Sequence, residues 1–408
     1  MSTAHMTNLD LSAPPAVQTI GRRSLVIGAV ASVIALALAY KDPVVFFRGY
    51  LLSFMDWLGI CLGSMAILMV RHLTGGGWGM VIRRVLGAAM RTVPLLAVLF
   101  LPLAFLGVPR LYPWAMPPEA IQNPTIREHL AKNKFVTSGY LNWHGFFWRG
   151  ILYFVIWGLI VFLLSKWSAE QNKPPVRDNS DRFKAVSGPG LIIFAFTISF
   201  AAIDWVMSLD PSWISTIYGL LFVAGELLAG LCFAVVIERI LFKYKPMSQL
   251  LRPDFVHDHG KFMLTFIMLW AYFSFSQWLI IWAGNLPEEI TWYIRRLNGG
   301  WGFVGLFLAL FHFAVPFVIL LSRSFKRDVT KLVYLAAWLL FMRYVDLFWI
   351  VEPNFSTTFQ VTWADLVIPF AMGGLWLAYF CYNLTSLPLL PAYDVYAKQV
   401  LEPEHEHA

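Results

Sequence analysis

LIIFAFTISFAAIDWVMSLDPSWISTIYGLLFVAGELLAGLCFAVVI, residues 191–237, decides how the rest of the chain is read. It holds two apolar runs, each about the 20 residues that a helix needs to cross a hydrocarbon core of roughly 30 Å. Between them lies Asp210-Pro211. Aspartate favours turns, and proline suits the first turn of a following helix, so Asp210 reads as a turn and cap residue. Asp204 sits nearly two helical turns earlier, inside the first run, where that explanation does not reach.

Similar runs recur along all 408 residues, of which 58% are hydrophobic and only 13% charged, with 34 Phe and 18 Trp. That is far from the balance of a soluble domain. The chain reads as an all-α integral membrane protein of about ten transmembrane helices. Spans are expected near 25–40, 44–70, 81–106, 144–167, 189–209, 213–237, 260–283, 300–322, 331–351 and 362–386. The third has the weakest signal, because Arg83, Arg84 and Arg91 fall in its first half.

The formal charge of +7 would suggest nucleic acid in a soluble protein. Here its distribution points to topology instead. One alternate set of loops carries Arg22, Arg23, Arg71, Lys173, Arg177, Lys243, Lys245, Arg323 and Lys326, while the other set is poor in Lys and Arg. The positive-inside rule then places both termini in the cytoplasm. The expected layout is a cytoplasmic tail over 1–24, a membrane domain over 25–387 and a cytoplasmic tail over 388–408, ending in a solvated EPEHEHA. An outer loop over 107–143 and a cytoplasmic linker over 169–188 interrupt the membrane domain. The polar start has no small-residue cleavage site, so the first helix is expected to remain as an anchor.

Internal similarity is weak. SFMDWL at 53–58, GGWGMV at 76–81 and Val-Pro at 93–94 echo SFSQWL at 274–279, GGWGFV at 299–304 and Val-Pro at 315–316. A true repeat would be inverted in the membrane. Chance similarity is the alternative in a chain with 28 Gly and 18 Trp.

An ionisable group at the centre of a span costs roughly 2.5 kcal/mol or more, so it turns inward and takes a partner. Asp56, Asp204, Glu226, His312, Arg343, Asp346 and Asp365 qualify. The first six form a candidate proton relay. Arg343 and Asp346, three apart, share a helix face and can pair, which serves structure as well as function. Glu226 in AGELLAG has small neighbours that fit close helix packing, and also the protonatable group that a relay needs. His312 fits either a satisfied core histidine or a relay. Asp204 has no counter-charge among its sequence neighbours, and the next span brings Glu226 toward it. The two are expected to act together.

No CxxCH, cysteine cluster or histidine pair supports haem or iron–sulfur ligation, so no covalently bound cofactor is expected. Cys61, Cys232 and Cys381 read as packing residues. No GxxxxGK[ST] or GxGxxG opens a nucleotide site. Quinone remains, because it needs only an apolar slot with a few hydrogen-bonding and protonatable groups.

Three long segments carry a resemblance: FTISFAAIDWVMSLDPSWISTIYGLLF, DFVHDHGKFMLTFIMLWAYFSFSQWLIIWAGNLPEEITWYIRRLNGGWG and RYVDLFWIVEP. They resemble the ActF family, the second large NrfD-like membrane subunit of bacterial alternative complex III, a quinol:electron-acceptor oxidoreductase. The likeness runs over about residues 20–390. It implies two four-helix bundles plus flanking helices in a bacterial cytoplasmic membrane. The implied neighbours are an ActC-like quinol-binding subunit, a multihaem cytochrome c subunit, an iron–sulfur subunit, small membrane subunits and lipid. The implied role is proton conduction or energy coupling beside the quinol-oxidising subunit of a respiratory or photosynthetic chain. In the family the sister subunit uses a histidine and carboxylates near the outer face. By position His144 and Asp204 match these here, and with Arg149 and Asp365 they are the candidates for binding menaquinone or another quinone. The alternatives are a chain that itself oxidises quinol, and an independent secondary transporter.

Overall fold

The computed structural model describes residues 11–117, 119, 121, 124–132, 136, 139–245, 247–391, 393 and 394. The chain is 82% helical, with no strand among the described residues. Among the described residues, ten helices are long and apolar enough to cross a membrane. They are α1 (Pro15–Ala39), α2 (Pro43–Thr74), α3 (Gly77–Leu111), α4 (Trp143–Glu170) and α5 (Ser180–Leu209), followed by α6 (Tyr218–Leu241), α7 (Pro253–Gly284), α8 (Trp301–Leu321), α9 (Val329–Asn354) and α10 (Trp363–Thr385). This is a multi-pass, all-α membrane protein.

Local chemistry sets the ends. Asp42 accepts from the Val45 N–H to open α2, and Asn142 from the Gly145 N–H to open α4. Thr362 and Asp365 form a reciprocal capping box at the start of α10. Prolines occupy the first turn of α1, α2 and α7. Two ends differ from expectation. Helix α1 begins at Pro15 rather than 25, because the polar segment before the apolar run continues the helix with Arg22 and Arg23 exposed. Helix α6 begins at Tyr218 rather than 213, because Trp213 is drawn into a buried stack on Trp292.

Helices α2 to α5 pack in a ring, each against the next and α5 back onto α2. A second ring is formed by α6 to α9. The rings meet where α2 crosses α6, and α1 pairs with α10 on the outside. Glycines make the closest crossings. A Cβ at Gly63 would sit 1.8 Å from the Glu226 carbonyl oxygen, and one at Gly230 2.4 Å from the Gly63 backbone. Without side chains at these points the two backbones approach to direct contact, as small residues permit in membranes.

The arginines of α3 do not prevent it from spanning. Arg83 is held by Asp394 and Gln171, Arg84 by Ser168 and Asn172, and Arg91 by the Asn383 carbonyl at 2.7 Å. All three lie toward the basic face, where Tyr393 and Gln171 also exchange backbone contacts and Leu389 bonds to Leu11. Leu389, Leu390 and Asp394 are therefore packed against the membrane domain, all three buried. The expected EPEHEHA tail and residues 1–10 lie outside the described residues.

Both GGWG copies open a span, but with different backbone. In the first, positive φ falls at Gly75 and Gly76, 69° and 86°, and Gly77 is already helical; in the second it falls at Gly299 and Gly300, 63° and 94°, and the helix starts at Trp301, positive φ being open to glycine at no steric cost. Each pair turns the chain into a span that later contains a π-helical turn, at Leu103–Gly107 in α3 and Ala309–Ala314 in α8. With an odd and an even span starting this way, the copies sit at opposite faces, as an inverted arrangement requires.

Candidate functional site

Asp204 ends its span fully buried and fully engaged. Arg149 Nε and Nη2 donate to its two oxygens at 2.8 and 2.9 Å, and the Tyr153 hydroxyl donates at 2.8 Å. The Arg149 guanidinium also lies 4.0 Å over the Tyr140 ring. Burial, with the Asp204 charge beside it, pushes the Tyr140 hydroxyl up to about 12. The counter-charge missing among its sequence neighbours comes from 55 residues away, on α4. The network belongs to the first bundle and contains no bond to Glu226. His144 is exposed beside Trp143, and Asp365 caps α10. Of the four residues expected to bind quinone, only Arg149 and Asp204 touch. Asp210 is the turn residue anticipated, accepting from Ser212 and from Arg295 Nη2 at 2.6 Å.

A different group gathers where the bundles meet. Arg343 and Asp346 on α9 form the anticipated i,i+3 pair, and Trp270 Nε1 donates to Asp346 at 3.2 Å. The guanidinium packs on Gly225, where a Cβ would stand 2.4 Å from Cζ. Its charge reaches Glu226 on α6, Asp56 on α2 and His312 on α8. Both Glu226 oxygens are buried with no hydrogen-bond partner among the described residues. His312, in the π-helical turn of α8, lies with its ring centroid 4.3 Å from that of Trp270. Five of the six relay candidates thus share one neighbourhood, and Asp204 stands outside it. The group holds three carboxylates and one guanidinium. One charge cancels one; the other two carboxylates are neutral only when they carry protons.

From Asp56 the polar residues continue toward the face opposite the basic one. Tyr344 is within the field of Asp56, and its hydroxyl donates to the Asp365 carbonyl at 2.7 Å. Asp365 in turn faces Glu352, which is paired with Arg48 of α2. One oxygen of Glu352 and one of Asp365 remain buried without a partner. Sequence reading passed over Arg48, Glu352 and Tyr344. Arg48 and Glu352 are 304 residues apart, so nothing local announces the pair.

Toward the basic face, Glu238 and His259 form a second group missed in the sequence. His259 Nδ1 lies 3.0 Å from Glu238, and Nε2 lies 2.8 Å from the Trp78 carbonyl. Both partners are acceptors, and a neutral imidazole has one N–H, so the pair holds one proton beyond neutral histidine plus carboxylate. Twelve residues of α6, about 18 Å of rise, separate Glu238 from Glu226. The intervening positions include no ionisable group other than Cys232.

The second bundle also encloses a cavity of ≈ 760 Å³. Tyr218, Gln277, Tyr293 and Asp346 supply its polar groups, among rings that include Trp270, Trp292, Trp349 and Phe313. Burial raises the Tyr293 hydroxyl to about 12, so it is available as a donor. Helix α7 packs on α8 over Ala309–Leu321 but parts from Trp301–Leu308. The cavity opens through that gap, past the exposed side chains of Tyr272, Phe275 and Leu306. Among the described residues, no three His, Cys, Asp or Glu groups come together to hold a metal ion.

Neither models of protein families nor curated proteins match this chain.

Proposed function

We propose that this chain is the proton-handling membrane subunit of a quinol-oxidising complex of the alternative complex III type, with both ends on the cytoplasmic side of a bacterial membrane. The resemblance over residues 196–353 supports the complex, and the shared Arg343 supports the role. One guanidinium faces three carboxylates on three helices, so moving a proton among them changes which one the cation balances. Glu226 receives the proton at the bundle junction. Asp56 passes it toward Tyr344, Asp365 and Glu352 at the opposite face. Electrons run through the haem and iron–sulfur centres of neighbouring subunits. Purification in mild detergent tests the assignment: a c-type haem polypeptide and an iron–sulfur protein should accompany this chain in fixed ratio. Isolation as a single species that transports a solute would replace the reading with a secondary transporter.

The cavity favours a second reading, in which this chain also takes up quinone. A flat ring entering between α7 and α8 would meet aromatic faces and end at Asp346, which is bonded to Arg343. On this reading the quinone would sit in the second bundle rather than at His144, Arg149, Asp204 and Asp365. Gly305 lines the cavity, and its Cβ would meet only Trp349 at ordinary contact distances of 3.5–3.6 Å. Gly305→Leu should therefore fill the space without disturbing the backbone, and the quinone retained by the purified complex should fall several-fold at unchanged thermal stability. Unchanged quinone content would exclude the cavity as its site.

A further inference from the structure

A second cavity, of ≈ 220 Å³, lies at the basic face where α2 ends and α3 and α5 begin. It belongs to neither the Arg343 group nor the aromatic cavity. Its wall contains Arg71 and His72 from the last turn of α2, Lys184 from α5, and Asp394. Arg71 is 3% exposed and His72 5%. The His72 ring stacks on Phe183 with 4.2 Å between centroids, and its Nδ1 meets the Ser187 hydroxyl at 3.2 Å. Its Nε2 is buried without a partner among the described residues. Arg83 stands behind the wall, its guanidinium 5.1 Å over Phe183 and bonded to Asp394. Among the described residues, the three permanent cations Arg71, Arg83 and Lys184 thus stand around one carboxylate, Asp394, and these four groups together carry net positive charge.

The loop that closes the cavity adds backbone polarity of the same sign. Gly75 and Gly76, at positive φ, lead directly into α3, and Gly76 caps that helix without a side-chain bond. The first N–H groups of α3 therefore have no partner within the helix, and the helix dipole places positive potential there. A Cβ at Gly75 would meet nothing within 4 Å, so the loop stands beside open space. Buried cations and an uncapped helix start together suit an oxyanion with several acceptors.

We propose that this cavity binds the phosphoryl headgroup of an anionic phospholipid. The shared chemistry is a phosphate group, available from lipid or from free phosphate. Two observations favour lipid. The cavity sits at the ends of three spans, where the headgroup region of a bilayer would begin, and the exposed side chain of Leu73 lies on its wall. Basic pockets between spans are also where anionic headgroups collect, each Lys or Arg contributing about 1 kcal/mol near the surface.

The test uses the full chain in detergent, titrated with phosphatidylglycerol, phosphatidylcholine or inorganic phosphate, and read by native mass spectrometry and thermal shift. One phosphatidylglycerol should be retained per chain and raise the melting temperature, with phosphatidylcholine bound at least tenfold more weakly. Lys184 is exposed, so Lys184→Glu should leave the fold intact and weaken phosphatidylglycerol at least tenfold; Arg71→Gln should act in the same direction. Equal binding of both lipids, or phosphatidylglycerol binding unchanged by Lys184→Glu, would overturn the proposal. Saturation by inorganic phosphate at the concentrations where the lipid binds would assign the site to a soluble anion and overturn the lipid source.

Discussion

Asp204 and Glu226 are buried carboxylates on consecutive spans, and their surroundings assign them opposite behaviour. Asp204 receives three hydrogen bonds, two from one guanidinium. Glu226 receives none from the described residues. Removing one member of a buried ion pair leaves the other charge uncompensated, at a cost of about 3 kcal/mol or more. Asp204→Asn should therefore lower the melting temperature and yield of the protein, and Arg149→Gln should do the same. The double substitution should recover part of the loss. A stable Asp204→Asn protein whose only defect is slow turnover would return Asp204 to the relay. At this scale the sequence was legible where partners lie within a helical turn. Arg343 with Asp346 is such a case. Asp204 with Arg149 and Glu352 with Arg48 are not, because helix packing alone brings them together.

Elements were read well where twenty apolar residues suffice to define them. All ten expected spans correspond to helices in the structure. The sequence was less informative where charge interrupts a run, as in α3, whose arginines are satisfied by groups on α4, α10, the linker and Asp394. Glycine roles were also partly hidden. Small residues around Glu226 suggested close packing, but only the fold shows that Gly63 on α2 is the opposing surface. Gly63→Ala should push α2 from α6 and cost about 1–3 kcal/mol, the range of an overpacked core. Gly158→Ala on α4, where a Cβ meets nothing within 4 Å, serves as the control and should be neutral or slightly stabilising. Equal melting temperatures for the two variants would mean that the α2–α6 crossing is looser than described.

Across the whole molecule, two four-helix rings meet along α2 and α6, and the ionisable groups near mid-membrane collect at that junction. Polar contacts continue from it toward one face through Tyr344, Asp365 and Glu352, while toward the other about 18 Å of α6, with no ionisable group but Cys232, separates Glu226 from Glu238 and its partner His259. The asymmetry suits a half-path that exchanges protons with one side while a second event connects the other. Composition revealed the membrane class and the number of spans. It did not reveal which bundle holds the junction, since Asp56, Glu226 and Arg343 come from distant parts of the chain. Glu226→Gln tests the central claim most directly, because it keeps the side-chain shape and removes the exchangeable proton. In the proposed quinol-oxidising complex, purified intact and reconstituted into vesicles, the variant should assemble in normal ratio with unchanged haem spectra. Quinol-driven turnover or the accompanying proton release should fall several-fold, and Glu226→Asp should retain part of it. Full assembly of Glu226→Gln with turnover and proton release equal to the parent would contradict the account.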